Sequence, residues 1–561
     1  MKERVIGIIQ KNRRLLTFVL LTAMGVVYYL PALLKKGILT FPYADTIFHL
    51  SRVIGMRNVW TSPVSFLNFG HYGGMINVFY PWLTLYPMFL LYRITGSYVL
   101  AYKTFCLLLT VLTLFLSMSV MYRISADRFG AVIFAVLYTY SLYRFDNIFH
   151  REAAGEFIAI TFLPVVLLGL YYVFFDDFSR WKFLAAGMTL LAYTHNLTLF
   201  LSAVVTGLLF ILSFPFGDHK KERFAALVKA ALTALVLSLA SLLPMLEIVR
   251  TNILNIPGGS GKLLGASAFD LKTIVIDAFS NRPASRGIGL LGILAILVLS
   301  LYYLTCLFSK KKPDGSKAVH CFFASGVILF FAVTSLLPWE RIGDATFLSG
   351  IQFIWRLNAW VTILPFAVLA FYLPRWFRSL PVRLIVLGVT CCAAVLLHYG
   401  AFMTLRGLDS SYLRDADFAN GDAVSYDYSP LLSKQHRDNT GEEIIGVLVD
   451  GETVPAEISI SADGSIYTAE VTAPSSTGAM VRADLPVFRY HQQDCTVNGE
   501  PAETALTERG GTGVWIPSGR SSVITVSYGY TKPAWLSRAL SCAALVLFVF
   551  SCAKKNRGKQ G

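Results

Sequence analysis

Charge is scarce in this chain. Charged residues fill only 15% of its 561 positions, and the 34 acidic residues are outnumbered by 49 basic ones. Cysteine is sparse as well: of eight, Cys106, Cys306, Cys321, Cys391, Cys392, Cys542 and Cys552 lie in or beside apolar segments, which leaves only Cys495 in a long polar region. No structural disulfide or zinc cluster is implied. The chain also lacks GxxxxGK[ST], a GxGxxG following a strand, HExxH and GxSxG, so nucleotide-driven, zinc-peptidase and α/β-hydrolase chemistries have no support. There is no internal repeat of the transporter kind and no low-complexity segment.

What the chain has is apolar length. Hydrophobic residues make up 55% and aromatics 14%, in many runs that reach the roughly 20 residues a bilayer crossing needs. This is the composition of a polytopic α-helical membrane protein. The first run, Leu15 to Leu34, follows a basic start without a small-residue cleavage site, and reads as a retained span with a cytoplasmic N-terminus. The net charge of +15 sits mainly in short loops between spans, so it reports orientation and not nucleic-acid binding. Basic loops at Arg123–Arg128, Arg180–Lys182, Lys220–Arg223, Lys310–Lys317 and Arg375–Arg383 all become cytoplasmic only if the stretch Phe79 to Tyr92 does not cross. That stretch is short and carries Pro81 and Pro87, which suits a juxtamembrane piece.

The expected spans are 14–34, 97–121, 129–146, 156–175, 182–196, 197–214, 224–248, 287–308, 318–337, 356–373, 382–403 and 534–553, about 12 transmembrane helices. Both termini then lie in the cytoplasm. The sequence divides into a transmembrane domain over 1–403 with its first external loop at 35–96, and a polar extracytoplasmic segment over 404–532. A last helix and basic cytoplasmic tail occupy 533–561. Alternating runs such as Glu457-Ile-Ser-Ile-Ser between Asp-Gly, Asn-Gly and Gly-Gly turns predict a β-sandwich-like domain in the polar segment.

Polar residues gather at the outward ends of these spans. Asp45, His49 and Arg52 are spaced i, i+4, i+7, which puts them on one face of a predicted helix. This pattern fits acid/base chemistry, the grip of an anionic headgroup, or the solvated face of a helix lying on lipid. His150, Arg151, Glu156, His195, Asn196, Gln352 and Arg356 fall on the same side. Singly each has a structural explanation: a capping histidine, an Arg151–Glu156 pair, a snorkelling Arg356. Their convergence on one membrane face points to a pocket with arginines for phosphate and Asp45 as its acid, as transfer from a lipid-phosphate donor requires.

The arrangement Asp45-x-x-x-His49-x-x-Arg52, Gly73-x-x-x-x-x-Phe79-Tyr80-Pro81, Arg151-x-x-x-x-Glu156 and Gln352-Phe353-x-Trp355-Arg356 resembles the bacterial 6-pyruvoyl-tetrahydropterin synthase-related membrane proteins and the neighbouring YfhO-like family. Both look like GT-C glycosyltransferases, and the resemblance covers nearly the whole chain. It implies a GT-C-like fold and an inverting glycosyltransferase of the bacterial plasma membrane. Such an enzyme takes a sugar from a polyprenyl-phosphate donor and passes it, outside the cell, to an envelope glycopolymer, lipid or protein. By the same resemblance, Asp45 matches the acid of the first external loop, as base or as the group that orients the acceptor. The other residues would bind substrate. GT-C enzymes often carry a paired acidic motif on that loop, whereas Asp45 has no acidic neighbour before Asp127, so a divalent metal is possible but unsupported. Two rivals are a transporter or flippase of lipid-linked saccharides and a non-catalytic envelope scaffold.

Overall fold

The computed structural model describes residues 12–42, 44–418, 424–475 and 479–557. The basic tail that the sequence assigns to the cytoplasm, and the first eleven residues, lie largely outside these. Among the described residues nine helices are long and apolar enough to cross a membrane: Arg13–Leu33, Tyr98–Ser125, Ala154–Phe175, Asn196–Ser213, Lys220–Thr251, Gly289–Phe308, Ile354–Trp376, Leu380–Arg406 and Lys532–Ala553. The other three expected spans are helical but shorter, at Arg128–Thr139, Lys182–Ala192 and Lys317–Ala332.

The segment 129–146 is two helices and not one span. The first stops at Thr139, where the Ser141 hydroxyl turns back to donate to the Tyr138 carbonyl at 2.8 Å, and a second helix, Leu142–Phe149, begins. A serine that bonds its local backbone competes with helix continuation. Hydropathy alone carries no trace of that break. The stretch 79–92 is likewise not one helix. Ile76–Phe79 ends before Pro81 and Tyr86–Thr95 follows, ten residues that reach only ~15 Å against the ~30 Å of a bilayer core.

The chain forms two compact units whose limits cut across the division at residue 403. The first comprises Met1–Thr46, Leu91–Ala234 and Gly258–Asp415, and the second Ile47–Leu90, Leu235–Pro257 and Ala416–Gly561. In the first, helices Tyr98–Ser125, Arg128–Thr139, Ala154–Phe175 and Asn358–Trp376 supply most of the core. Close helix approaches use glycine: a Cβ on Gly130 would lie 2.2 Å from the Ala370 carbonyl, and one on Gly169 2.4 Å from the Leu184 backbone. A short antiparallel pair, Ile38–Thr40 with Ser411–Leu413, fixes the segment leading to Asp45.

The second unit contains two five-stranded antiparallel sheets. One runs Thr504–Leu506, Thr512–Pro517, Met480–Leu485, Val447–Val449, Glu452–Val454, and the other Ala456–Ile460, Ile466–Thr472, Ser521–Tyr528, Gln493–Val497, Glu500–Pro501. Burial alternates along Ser521–Tyr528, and inward residues of both sheets, among them Val449, Ala483, Ile516, Tyr467, Ala469 and Ile524, form one apolar cluster. That is the period-2 burial of a half-buried strand. The cluster also takes in Phe66, Tyr72, Met75 and Phe79 from the first loop, and Phe66 N–H donates to the Gly464 carbonyl at 2.9 Å. Phe79 stacks on Tyr428 with centroids 4.0 Å apart and planes 1° from parallel. Much of the loop is therefore built into the β-domain's core.

Candidate functional site

The site of the first unit is assembled where three helices begin or end. Helix Leu142–Phe149 ends in the loop 150–153, and Ala154–Phe175 starts with Glu156 in its first turn, where a carboxylate is favoured by the helix dipole. Arg151 Nη1 lies 2.8 Å from Glu156 Oε2 and also donates to Asn147 Oδ1 at 2.7 Å. From the short helix before Asn358–Trp376, Arg356 Nε reaches to 3.7 Å from the same carboxylate oxygen, and Tyr143 donates its hydroxyl to Glu156 Oε1. Glu156 is only 3% exposed, so one buried carboxylate answers two guanidiniums. Removing a charge this well buried would leave its partners uncompensated.

Trp355 is the hub of the cluster. The guanidinium carbons of Arg151, Arg286 and Arg356 lie 4.3, 5.0 and 5.6 Å from its ring centroid. These are cation–π distances. Gln352, held at φ +64°, accepts from Arg356 Nη1 at 2.9 Å. His195, just ahead of helix Asn196–Ser213, is 2.8 Å from the Thr198 hydroxyl through Nδ1, and its ring packs on Gly155, where a Cβ would meet it at 3.1 Å. Asn196 opens that helix. A Cβ at position 155 would push the histidine away by a few tenths of an ångström.

Asp45 joins this cluster through its backbone. Its N–H donates to the Arg151 carbonyl at 2.8 Å, and its charge is felt by both Arg151 and Glu152. Glu152 is buried, sits at φ +54° and accepts from the Thr40 hydroxyl at 3.0 Å. Burial first, and the neighbouring Asp45 in addition, hold its carboxyl well above the usual carboxylate range. His150, its ring tilted against Phe41, is pushed down to about 4 by burial and by Arg286 and Arg151. It is neutral at pH 7.

Asp45, His150, Arg151, Glu156, His195, Asn196, Gln352 and Arg356 thus all belong to the first unit. The helix expected to carry the opening triad begins at Thr46, one residue after Asp45, and the boundary between units falls at Thr46/Ile47. His49 and Arg52 belong to the second. There Arg52, 1% exposed, donates to Asn77 Oδ1 at 3.1 Å and to the Tyr80 and Pro81 carbonyls at 2.8 and 3.0 Å, with His49 Nδ1 at 3.2 Å. Its guanidinium ties the loop 76–81 to helix Thr46–Ile54.

Sequence reasoning missed Tyr143, Asp146, Glu152, Arg286 and Trp355. Glu152 and Trp355 stood inside stretches already singled out, and a third charge in the run His150-Arg-Glu was a usable signal. Asp146 and Arg286 offered none, since their relation is purely tertiary. Among the described residues no group of three or more His, Cys, Asp or Glu side chains is gathered as a metal would require.

No family model matches the chain, and no curated protein does. Among solved structures it is similar to the crystal structure of ArnT from Cupriavidus metallidurans bound to undecaprenyl phosphate, with TM-score 0.39 and 15% identity over 66% of this chain and 62% of that one. The chain therefore spans less than two thirds of that protein's length. Its own helices and sheets define the class: a multi-pass helical membrane protein that carries a β-sheet domain.

Proposed function

We propose that the protein is a membrane glycosyltransferase of the GT-C kind, moving a sugar from a polyprenyl-phosphate donor to a cell-envelope acceptor on the extracytoplasmic face of the membrane. The observation that carries this reading is the gathering of Arg151, Arg286 and Arg356 on Trp355, with Asp45 docked on Arg151. Arginine forks suit phosphate, and preorganised cations stabilise a leaving group whose charge grows as its bond to the sugar breaks.

In the proposed reaction Asp45 takes a proton from, or orients, the acceptor hydroxyl as it attacks the anomeric carbon from the side opposite the phosphate, which inverts the centre. The sugar–oxygen bond breaks and its electron pair leaves with the polyprenyl phosphate, held by the arginines. A phosphate leaving group needs no strong general acid. The Glu156 carboxylate keeps Arg151 and Arg356 in place, with the neutral His150 beside them.

The test is reconstitution of the full chain in proteoliposomes with polyprenyl-phosphate sugars radiolabelled in the sugar. Transfer of label to an envelope acceptor, with release of polyprenyl phosphate, supports the reading. Movement of intact donor across the bilayer without bond cleavage would favour a flippase instead.

A further inference from the structure

Asp146 is fully buried on helix Leu142–Phe149, the helix whose Tyr143 and Asn147 brace Glu156 and Arg151. Among the described residues neither of its oxygens accepts a hydrogen bond from an arginine side chain. Oδ1 accepts the backbone N–H of Ala284 at 2.9 Å and Oδ2 that of Arg286 at 2.8 Å. Ala284 and Arg286 have φ of +65° and +59°, and Asn281 in the same loop has +47°. Three non-glycine residues in the left-handed region within six positions is a conformation that persists only when its surroundings over-determine it. The Asp146 carboxylate does so at the N–H of Arg286, and Asn358 Nδ2 does so at its carbonyl, 2.9 Å away.

The result is an arginine clamped by its backbone with its side chain open. The Arg286 guanidinium lies over the Trp355 ring, next to Arg151 and Arg356, in a residue that is exposed. Glu156 answers the other two. For Arg286 no side-chain hydrogen bond or ion pair is found among the described residues. A guanidinium set in place through its backbone by a buried carboxylate, within the field of Asp146 and Glu156 but in direct ion pair with neither, is built to take an anion from outside the protein.

We propose that Arg286 is a third anion-contacting arginine of this site, and that Asp146 is its positioning residue, acting through the loop 284–286. The anion's chemistry is that of a phosphate ester. Its identification with the phosphate of a polyprenyl carrier rests on the proposed function, and an anionic group on the acceptor is the other source.

The experiment measures binding of undecaprenyl phosphate, and separately of inorganic phosphate, to the purified full chain and to Arg286→Gln, Arg286→Lys, Asp146→Asn and the Arg286→Gln/Asp146→Asn double variant. We expect Arg286→Gln and Asp146→Asn each to weaken undecaprenyl phosphate binding about tenfold or more, and Arg286→Lys to recover part of the loss. The double variant should be no weaker than Arg286→Gln alone, because a residue that acts only through Arg286 has nothing to add once that side chain is gone. If Asp146→Asn does not accumulate, Asn358→Ala releases the other end of Arg286 and gives the same comparison. Unchanged binding by Arg286→Gln overturns the anion role, and additive losses in the double variant overturn the positioning role. Wild-type binding of inorganic phosphate that depends on Arg286, with no affinity for undecaprenyl phosphate, upholds Arg286 and sinks the donor reading alone.

Discussion

The backbone N–H of Asp45 donates to the carbonyl of Arg151 at 2.8 Å. That single bond links the acid of the first loop to the arginine that pairs with Glu156 and stacks on Trp355, so acid and arginines form one structure. Whatever holds the 150–153 loop therefore holds both halves of the proposed chemistry.

Glu156 should be the keystone of that loop. Glu156→Gln leaves Arg151 and Arg356 near a neutral amide in a buried setting, and is expected to lower stability by roughly 3–5 kcal/mol, the usual result of breaking a buried ion pair. Tyr143→Phe removes one hydrogen bond to the same carboxylate and should cost less. Thermal unfolding in detergent checks both, and an unchanged melting temperature for Glu156→Gln would show that the pair does not hold the site.

The loop also carries two titrating groups with opposite signs. Glu152 is held above the ordinary range, so the folded state keeps its proton longer than the unfolded chain does. Its contribution is present below about pH 4.3 and is lost as pH rises from there toward the folded value. His150 is held down at about 4, so its contribution is present above about pH 6.5 and is lost as pH falls toward 4. Glu152→Gln should flatten the stability profile on the alkaline side of pH 4.3, and His150→Gln should flatten it between 6.5 and 4. Profiles parallel to wild type would refute these assignments.

In the second unit Arg52 serves the loop 76–81. Arg52→Lys keeps the charge but cannot reach Asn77, Tyr80 and Pro81 together, and each lost bond to a charged donor is worth ~1.5–3 kcal/mol. Limited proteolysis should cut between Asn77 and Tyr86 faster in this variant, and faster still in Phe79→Ala, which removes the stack on Tyr428. Equal cleavage rates would mean that the loop is held by other contacts.

Several of these relations were legible in the sequence. Arg151 and Glu156, and Gln352 and Arg356, sit at ends of apolar runs, where a charge needs a partner, and that cost marks them. Period-2 alternation marked the strands. Of the triad, His49 and Arg52 lie within helix Thr46–Ile54 and Asp45 one residue before it, since helical periodicity says nothing of where the helix starts. Helix lengths misled where Ser141 interrupts an apolar run. The bond from Asp146 to the loop 284–286 joins residues nearly 140 positions apart through backbone N–H groups, and no residue pattern records such a contact.

The most direct test of the central claim is the rate of the proposed sugar transfer by Asp45→Asn, measured beside its melting temperature and the binding of an added polyprenyl phosphate. If Asp45 is the acid and the arginines hold the phosphate, transfer should fall by ~10²–10⁴ while folding and lipid binding stay near wild type. Full transfer activity in a folded Asp45→Asn protein would contradict the account.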